Sequence, residues 1–166
     1  MASDPKATRN PMTEIGLDVL EDTLSFYIRS LNMAVSRDLD QSLEGLDVAR
    51  GTGKITTLLL VDRHPGIRPS VIAQMILKDR SAMGRLLEQM EEHGLLTRKV
   101  SSDDNRAQAL YITGKGRELA DRIRPIITRQ SRNFFSDITD KEHAMLIQVL
   151  GRTYRRVVGL EPSDEA

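Results

Sequence analysis

Apolar residues recur at steps of three and four positions from residue 14 to residue 43, the spacing that places side chains on one face of an α-helix. A single long helix is therefore predicted here, after a polar, proline-containing arm over residues 1–13 that we expect to be disordered. A helix of this length is longer than a small domain can cover, so the apolar stripe predicts a partner surface. The stripe consists of Leu17, Leu20, Leu24, Tyr27, Ile28, Leu31, Val35, Leu39 and Leu43.

The next segment, from Lys54 to Arg63, is short and very apolar, with Thr52 as its expected N-cap and His64-Pro65-Gly66 after its end. Pro69 suits the first turn of a further helix, because proline there needs no hydrogen-bond donor and its fixed φ angle fits the helix. These features predict two short consecutive helices.

A third short helix is expected from Arg80 to His93, with Asp79 as N-cap and Gly94 at the position that follows the helix end. The apolar period then changes from helical to strand-like. Residues 95–100 and 107–112 are short strand-like runs on either side of a polar segment. This pattern predicts a β-hairpin with a polar tip.

Two helices complete the predicted order. Thr113-Gly114-Lys115-Gly116 connects the hairpin to a long helix that extends to about Phe135. Thr139-Asp140-Lys141-Glu142 has the pattern of a capping box and opens a last helix to about Val158. An acidic tail over residues 161–166 follows. The fold class is therefore expected to be mainly α (α+β), with a compact centre between two long helical arms.

This order divides the chain into three main parts. The N-terminal helix, over residues 14–45, and the C-terminal helices, over 114–160, are the outer arms, and the length of the first predicts dimerisation. Between them lies a winged helix-turn-helix domain over residues 46–113. Its helix-turn-helix spans about residues 69–93 and its two-stranded β-hairpin wing about residues 95–112.

The amino-acid composition mainly excludes types of site and classes of protein. The chain has no Cys, which excludes a disulfide framework, a thiolate metal site, a Cys nucleophile and a thiol redox switch. Aromatic residues make up only 4%, so the core must use Leu, Ile, Val and Met, which favours helices. No apolar run is long enough to cross a bilayer, and the first ten residues are unlike a secretory signal. We therefore expect a cytoplasmic protein with no membrane partner.

The segment from Pro69 to Leu87 is the most informative for function. A helix-turn-helix that reads DNA needs a small residue where its two helices cross, and Ala73 supplies it. Met83, Leu86, Leu87 and Met90 form the apolar inner face of the second helix. Short, polar or basic residues on the outer face allow approach to the major groove and the phosphates. The expected DNA-binding residues of this helix are Arg80, Ser81, Ala82, Gly84, Arg85 and Gln89.

The hairpin provides a second candidate DNA contact. Arg98 and Lys99 lie on its first strand, and Arg106 lies just after its tip. Asp104 can hold one side of the Arg106 guanidinium and direct the other side into a narrow minor groove. The net charge of the chain is zero, so DNA binding must depend on such local placement of charge.

These motifs resemble those of the MarR (multiple-antibiotic-resistance-regulator) family of winged helix-turn-helix transcriptional regulators. The resemblance covers residues 14–158. It is carried by Asp79-Arg80-Ser81, Arg85-Leu86-Leu87, Glu91-Glu92-His93-Gly94-Leu95, Asp104-Asn105-Arg106 and Thr113-Gly114-Lys115-Gly116.

The resemblance implies a homodimer, held together by the outer helices, that binds double-stranded DNA at a pseudo-palindromic operator. It places Arg80, Ser81 and Arg85 on the major groove and the phosphates, and Arg106 in the minor groove with Asp104 as its orienting residue. It further implies a transcriptional regulator, most simply a repressor, that is released by a small phenolic or anionic effector.

The chain departs from the family pattern at two places. Leu77 stands in the turn where glycine is common, so either the turn geometry differs or this residue stays helical. Ala82 and Gly84 stand where hydroxyl residues are frequent, so base contacts there would be apolar or absent. The operator sequence, the regulated genes and the effector pocket therefore do not follow from the sequence.

Other interpretations were weighed against this one. A winged-helix partner-binding module without sequence-specific DNA binding is the alternative, and no pair of groups with catalytic spacing supports an enzyme. Gly51-Thr52-Gly53-Lys54-Ile55 is not a phosphate-binding loop, because Val48 and Ile55 replace required residues. The three histidines lack partners at metal-binding spacing. We expect no catalytic residue, cofactor or metal.

Overall fold

The computed structural model describes residues 15–100 and 108–160. Within these residues the chain forms a short 3-10 helix (Asp18–Leu20), six α-helices and two antiparallel strands. This order confirms the predicted mainly α fold class. The elements are α1 (Leu24–Ser42), α2 (Thr52–Arg63), α3 (Pro69–Met75), α4 (Arg80–Glu92), β1 (Leu96–Val100), β2 (Gln108–Ile112), α5 (Gly114–Phe134) and α6 (Asp140–Val157).

The N-terminal helix begins at Leu24 rather than at residue 14, so the prediction of one continuous helix over 14–43 was wrong at its start. Asp18, at the start of the short 3-10 helix, has a φ of 54°, a left-handed conformation that interrupts a continuous α-helix. The Glu21 carboxylate accepts from the Leu17 N–H at 2.9 Å, and the Thr23 hydroxyl donates to the Val19 carbonyl at 2.7 Å. Such local hydrogen bonds compete with the helix.

The chain divides into two compact units, residues 1–34 and residues 35–166, and the division falls inside α1. The main apolar core belongs to the second unit. Five of its fully buried side chains come from five different elements, so their burial holds α2, α3, α4, β2 and α5 around one centre. These are Leu58, Ile72, Leu87, Leu110 and Ile123.

Helix α2 is joined to α5 by a charged contact as well as by the core. Asp62 on α2 accepts hydrogen bonds from Arg124 and, at 3.3 Å, from the Nε of Arg117, both on α5. The hydrogen bond from Arg124 is the main cause that lowers the pKa of Asp62. At its N-terminus α2 differs from expectation: Thr52 already belongs to the helix, and Gly51, which is extended, is the N-cap.

The turn between α3 and α4 contains the least expected backbone conformation. Pro69 occupies the first turn of α3, as predicted, and Ala73 is buried. Leu77 has a φ of 53°, so it does not stay helical. It adopts the left-handed conformation that is typical of glycine, and the turn is therefore of the kind that glycine usually forms. Its N–H donates to the backbone carbonyl of Gln74 at 3.2 Å, and the N–H of Lys78 donates to the backbone carbonyl of Ala73 at 2.9 Å. These two hydrogen bonds form a Schellman motif that ends α3.

The wing is the predicted β-hairpin. Leu96 pairs with Ile112, Arg98 with Leu110, and Val100 with Gln108. The hairpin is also joined to the start of the helix-turn-helix, because the N–H of Leu110 donates to the Ile67 carbonyl at 3.0 Å. The wing therefore cannot tilt without disturbing the segment that leads into α3.

The first turn of α5 is fitted closely against the start of the wing. Thr113 is its N-cap: the hydroxyl accepts from the Gly116 N–H at 3.0 Å and donates to the Gly94 carbonyl at 2.6 Å. A Cβ on Gly116 would lie 2.0 Å from the carbonyl oxygen of Leu95, so no side chain fits there. The ammonium of Lys115 donates to the His93 carbonyl at 2.8 Å. The prediction of a connector over residues 113–116 was wrong in its extent, because α5 already begins at Gly114 and its first turn joins α4 and β1 directly.

Helix α6 begins with the predicted capping box, in which Thr139 and Glu142 satisfy each other's backbone N–H groups. Within α6 itself no residue is buried, although its apolar side chains have helical spacing. Exposed large apolar residues of this helix are Met145, Leu146, Ile147, Val149, Leu150, Tyr154 and Val157. In the other unit, α1 likewise exposes Leu24, Ile28 and Leu31.

The close fit at Gly116 generates a stability prediction. Gly116→Ala should lower the free energy of unfolding by about 1–3 kcal/mol, the usual scale of overpacking, because the obstacle is backbone and cannot rotate away. Gly114→Ala, two residues earlier, is the matched control, since its Cβ would meet no described atom within 4 Å beyond its chain neighbours and the adjacent backbone of α5. Urea unfolding of both variants measures the difference. Equal stability of the two variants would contradict the proposed fit.

The turn residue Leu77 generates a second prediction. Leu77→Gly should raise the free energy of unfolding by about 0.5–1 kcal/mol, because relief of left-handed strain outweighs the greater unfolded-state freedom of glycine. The side chain is 63% exposed, so its removal sacrifices little burial. Leu77→Ala keeps the strain and should give no gain. Thermal unfolding compares the three proteins, and a Gly variant less stable than the Ala variant would refute the argument.

Candidate nucleic-acid interface

Helix α4 is held in place by its N-cap and by its inner face. The Asp79 carboxylate accepts a hydrogen bond from the Ala82 N–H at 2.7 Å, which confirms the predicted cap. This hydrogen bond is the largest of the causes that lower the pKa of Asp79. The inner face is buried as expected, through Met83, Leu86, Leu87 and Met90. The helix is therefore fixed along one side and free along the other.

The opposite face of α4 carries the six residues that the sequence analysis selected. Arg80, Ser81, Arg85 and Gln89 are exposed, whereas Ala82 and Gly84 are half-buried. Nη1 of Arg85 donates to the Ser81 hydroxyl at 3.1 Å, one turn earlier. Apart from its chain neighbours and the adjacent backbone of α4, no described atom lies within 4 Å of the position that a Cβ on Gly84 would occupy. The N-terminal half of this face is thus polar, basic and unobstructed.

A groove of about 650 Å³ lies beside this face, between α3, α4 and the wing. Four basic residues from these three regions line it, namely Arg68, Lys78, Arg80 and Arg98, and none of the described lining residues is acidic. Because like charges converge on one concave surface, the groove attracts anions although the net charge of the chain is zero.

Arg68 and Lys78 are candidate DNA-binding residues that the sequence analysis missed. Arg68 is the N-cap of α3, and Lys78 immediately precedes the N-cap of α4. The sequence contained a feature that could have identified them. Both basic residues flank the starts of the two helices of the motif, where phosphates are commonly bound.

Arg98 lies in this groove, but its guanidinium is already engaged. Its Nε and Nη2 both lie 2.6 Å from Oε2 of Glu91 on α4, and its backbone N–H donates to Oε1 at 3.2 Å. The side chain is only 23% exposed. Arg98 therefore joins the wing to α4, and a direct contact of this residue with DNA stays a prediction.

Lys99 points away from Arg98, because successive side chains on a strand project to opposite faces. Its ammonium lies 5.0 Å from the ring centroid of Tyr111, within the range of a cation–π interaction. The expected pair of strand cations is thus divided between two faces of the wing. Asp104 and Arg106, the expected tip residues, lie outside the described residues.

Within residues 15–100 and 108–160, no group of three or more His, Asp or Glu side chains could hold a metal ion. None of the helices in these residues combines the length with the apolar character that a membrane span requires.

Comparisons with known proteins agree with this geometry. The MarR family model matches residues 45–107. A Thauera aromatica protein, named as a candidate transcriptional regulatory protein for the hcr operon, is 27% identical over 151 residues, which are 91% of this chain and 90% of that protein.

Solved structures show the same fold. The transcriptional repressor CouR bound to a 23-mer DNA duplex has a TM-score of 0.77 at 24% identity, covering 86% of this chain and 99% of that one. CouR from Rhodococcus jostii RHA1 bound to p-coumaroyl-CoA has a TM-score of 0.72 at 20% identity, covering 89% and 98%. The family match covers the helix-turn-helix and the first strand of the wing and ends before β2, so this part of the chain is similar to the MarR family of transcriptional regulators.

Proposed function

We propose that this protein is a homodimeric repressor that binds a pseudo-palindromic operator in double-stranded DNA and is released by a small molecule. The observation that carries the proposal is the exposed N-terminal half of α4. There Arg80, Ser81 and Arg85 lie beside a groove to which Arg68 and Lys78 add positive charge. A basic, protruding helix of this kind fits the major groove of B-form DNA.

In this proposal α4 supplies both phosphate and base contacts. Arg80 and Arg85 bind phosphates or guanine edges, and the Ser81 hydroxyl, which already accepts from Arg85, orients that guanidinium. Ala82 and Gly84 keep the helix surface low, so the backbone can approach the floor of the groove. Gln89 reaches bases or phosphates further along the helix.

The wing supplies the adjacent contact. We assign Arg106 to the minor groove with Asp104 as its orienting residue, on the basis of the sequence motif. Arg98, held by Glu91, fixes the wing relative to α4, so that the two DNA-binding elements move as one body. Lys99, on the other face of the wing, reaches the phosphate backbone.

Dimerisation gives the two DNA-binding lobes a fixed separation. Large apolar side chains of α6 are exposed, and the helix buries none of its own residues. Exposure of so much apolar surface to water is unfavourable for a monomer. A second copy would cover these side chains. Two recognition helices held about 34 Å apart would then match successive major grooves on one side of the duplex.

In this proposal the effector releases the protein from its operator by shifting the dimer from one arrangement to another. The CouR structure with p-coumaroyl-CoA contains a phenolic, anionic ligand, which supports a ligand of this class here as well. A ligand that binds better to an arrangement with the wrong lobe spacing would lower operator affinity by the ratio of its affinities for the two arrangements.

The direct experiment is selection of bound fragments from a pool of random duplex DNA, followed by competition with random duplex in a mobility-shift assay. We expect an inverted repeat with half-sites one helical turn apart and strong preference over random duplex. Sedimentation should show a dimer. A monomeric protein, or one that selects no sequence, would instead support a partner-binding module and would reject this proposal.

The role of Arg85 generates a specific prediction. Arg85→Ala should weaken binding to the selected duplex by about tenfold and reduce the slope of log affinity against log salt by about 1, as expected for loss of one phosphate contact. Arg122→Ala on α5, which removes the same charge outside the groove, is the control. If both variants weaken binding equally, the effect reflects net charge and Arg85 makes no contact.

A further inference from the structure

The C-terminal end of α6 is bound directly to the C-terminal end of α3. The hydroxyl of Tyr154 donates to the Met75 carbonyl at 2.8 Å, and the side-chain amide of Gln74 donates to the Val158 carbonyl at 2.6 Å. We name these four residues the α3–α6 clasp. Each helix thus supplies a side chain that satisfies a free carbonyl at the end of the other.

The clasp is closely fitted. Val158 is buried, although the helix that it follows buries none of its own residues. Gly159, with a φ of 71°, turns the chain away immediately afterwards, and a Cβ there would lie 3.3 Å from the Gln74 amide nitrogen. This turn is what presents the Val158 carbonyl to Gln74.

The position of the clasp matters because α3 determines where α4 lies. Helix α3 has only seven residues and ends in the strained turn at Leu77, directly before α4. Its first turn is held by the wing through Ile67, and its last turn by the clasp. A small rotation of α3 about its first turn would move the start of α4, where Arg80 and Ser81 are located.

We propose that Tyr154 is a positioning residue for operator recognition: through the α3–α6 clasp it transmits the position of the dimerisation arm to the recognition helix and so fixes the half-site spacing that the dimer accepts. This inference rests on the proposed function, since it requires a dimer that reads two half-sites. In the described part of the chain, the arm contacts the DNA-binding lobe through α5, for example where Arg124 binds Asp62, and through α6 at the clasp.

Tyr154→Phe tests the proposal, because it removes only the hydroxyl and leaves the ring, whose loss would disturb packing. Thr153→Val is the matched control: it also removes a hydroxyl from α6, but that hydroxyl donates to Val149 in the same helix at 3.1 Å. Both variants and the wild type are titrated against the duplex that the wild type selects from a random pool, and against duplexes in which the half-sites are one and two base pairs closer or farther apart.

We expect Tyr154→Phe to reduce the preference for the original spacing over the shifted spacings by about fivefold, within the usual range of coupling energies. Thr153→Val should keep the wild-type preference. Dimerisation by sedimentation, the melting temperature and binding to random duplex at low salt should be equal in all three proteins. A merely structural role for the hydroxyl would change the melting temperature and leave the spacing preference unchanged.

Several outcomes would overturn the inference. An unchanged spacing preference in Tyr154→Phe, or an equal change in Thr153→Val, would show that the clasp does not position α4. A shift of the monomer–dimer equilibrium in Tyr154→Phe alone would show that the hydroxyl acts on assembly instead. If the wild type shows no spacing preference at all, the proposed operator recognition fails first, and the two failures are distinguished by that measurement.

Discussion

The contact between Gly116 and the carbonyl oxygen of Leu95 constrains most of the second unit. At this point α4 has just ended, β1 is about to begin and α5 starts, so three elements pass through a space with no room for a side chain. Thr113 and Lys115 complete the contact through hydrogen bonds to Gly94 and His93. The end of α4, the start of the wing and the first turn of α5 are therefore held rigidly together.

The second constraint acts at the other end of the helix-turn-helix. There the α3–α6 clasp holds the last turn of α3, while Arg98 and Glu91 hold the wing against α4. Polar contacts of this kind contribute modestly to the free energy of unfolding when they are partly exposed, but they specify orientation strongly because their geometry is narrow. The apolar core decides which elements pack together, and these directional contacts decide their angles.

The positions of the charged residues also depend on the fold. The chain as a whole is neutral, and some of its cations pair with acids within the fold: Arg124 and Arg117 with Asp62, Lys115 with Asp47, and Arg98 with Glu91. The described residues that line the groove include Arg68, Lys78 and Arg80 but no acid, so positive charge dominates the field on that surface. A neutral protein can in this way present a strongly anion-attracting face.

The sequence by itself determined the order of the elements, most of their ends and the exposed face of α4, because apolar period, capping residues and turn residues act over a few positions along the chain. It identified Asp79 and Thr139 as caps and Gly94 as a helix terminator, and the structure agrees. It failed where a local pattern was ambiguous: apolar spacing continued through residues 14–23, but Asp18 and nearby side-chain hydrogen bonds broke the helix.

Only the tertiary structure decided which charged groups pair and which converge. Contacts between residues distant in sequence place Arg98 against Glu91 and join Tyr154 to α3. They also bring Arg68 and Lys78 into one groove with Arg80. Leu77 adopts its left-handed conformation against the preference of leucine, where the local hydrogen bonds to Gln74 and Ala73 end α3. Local periodicity carries no information about the contacts between distant residues, because they exist only once the core has brought the elements together.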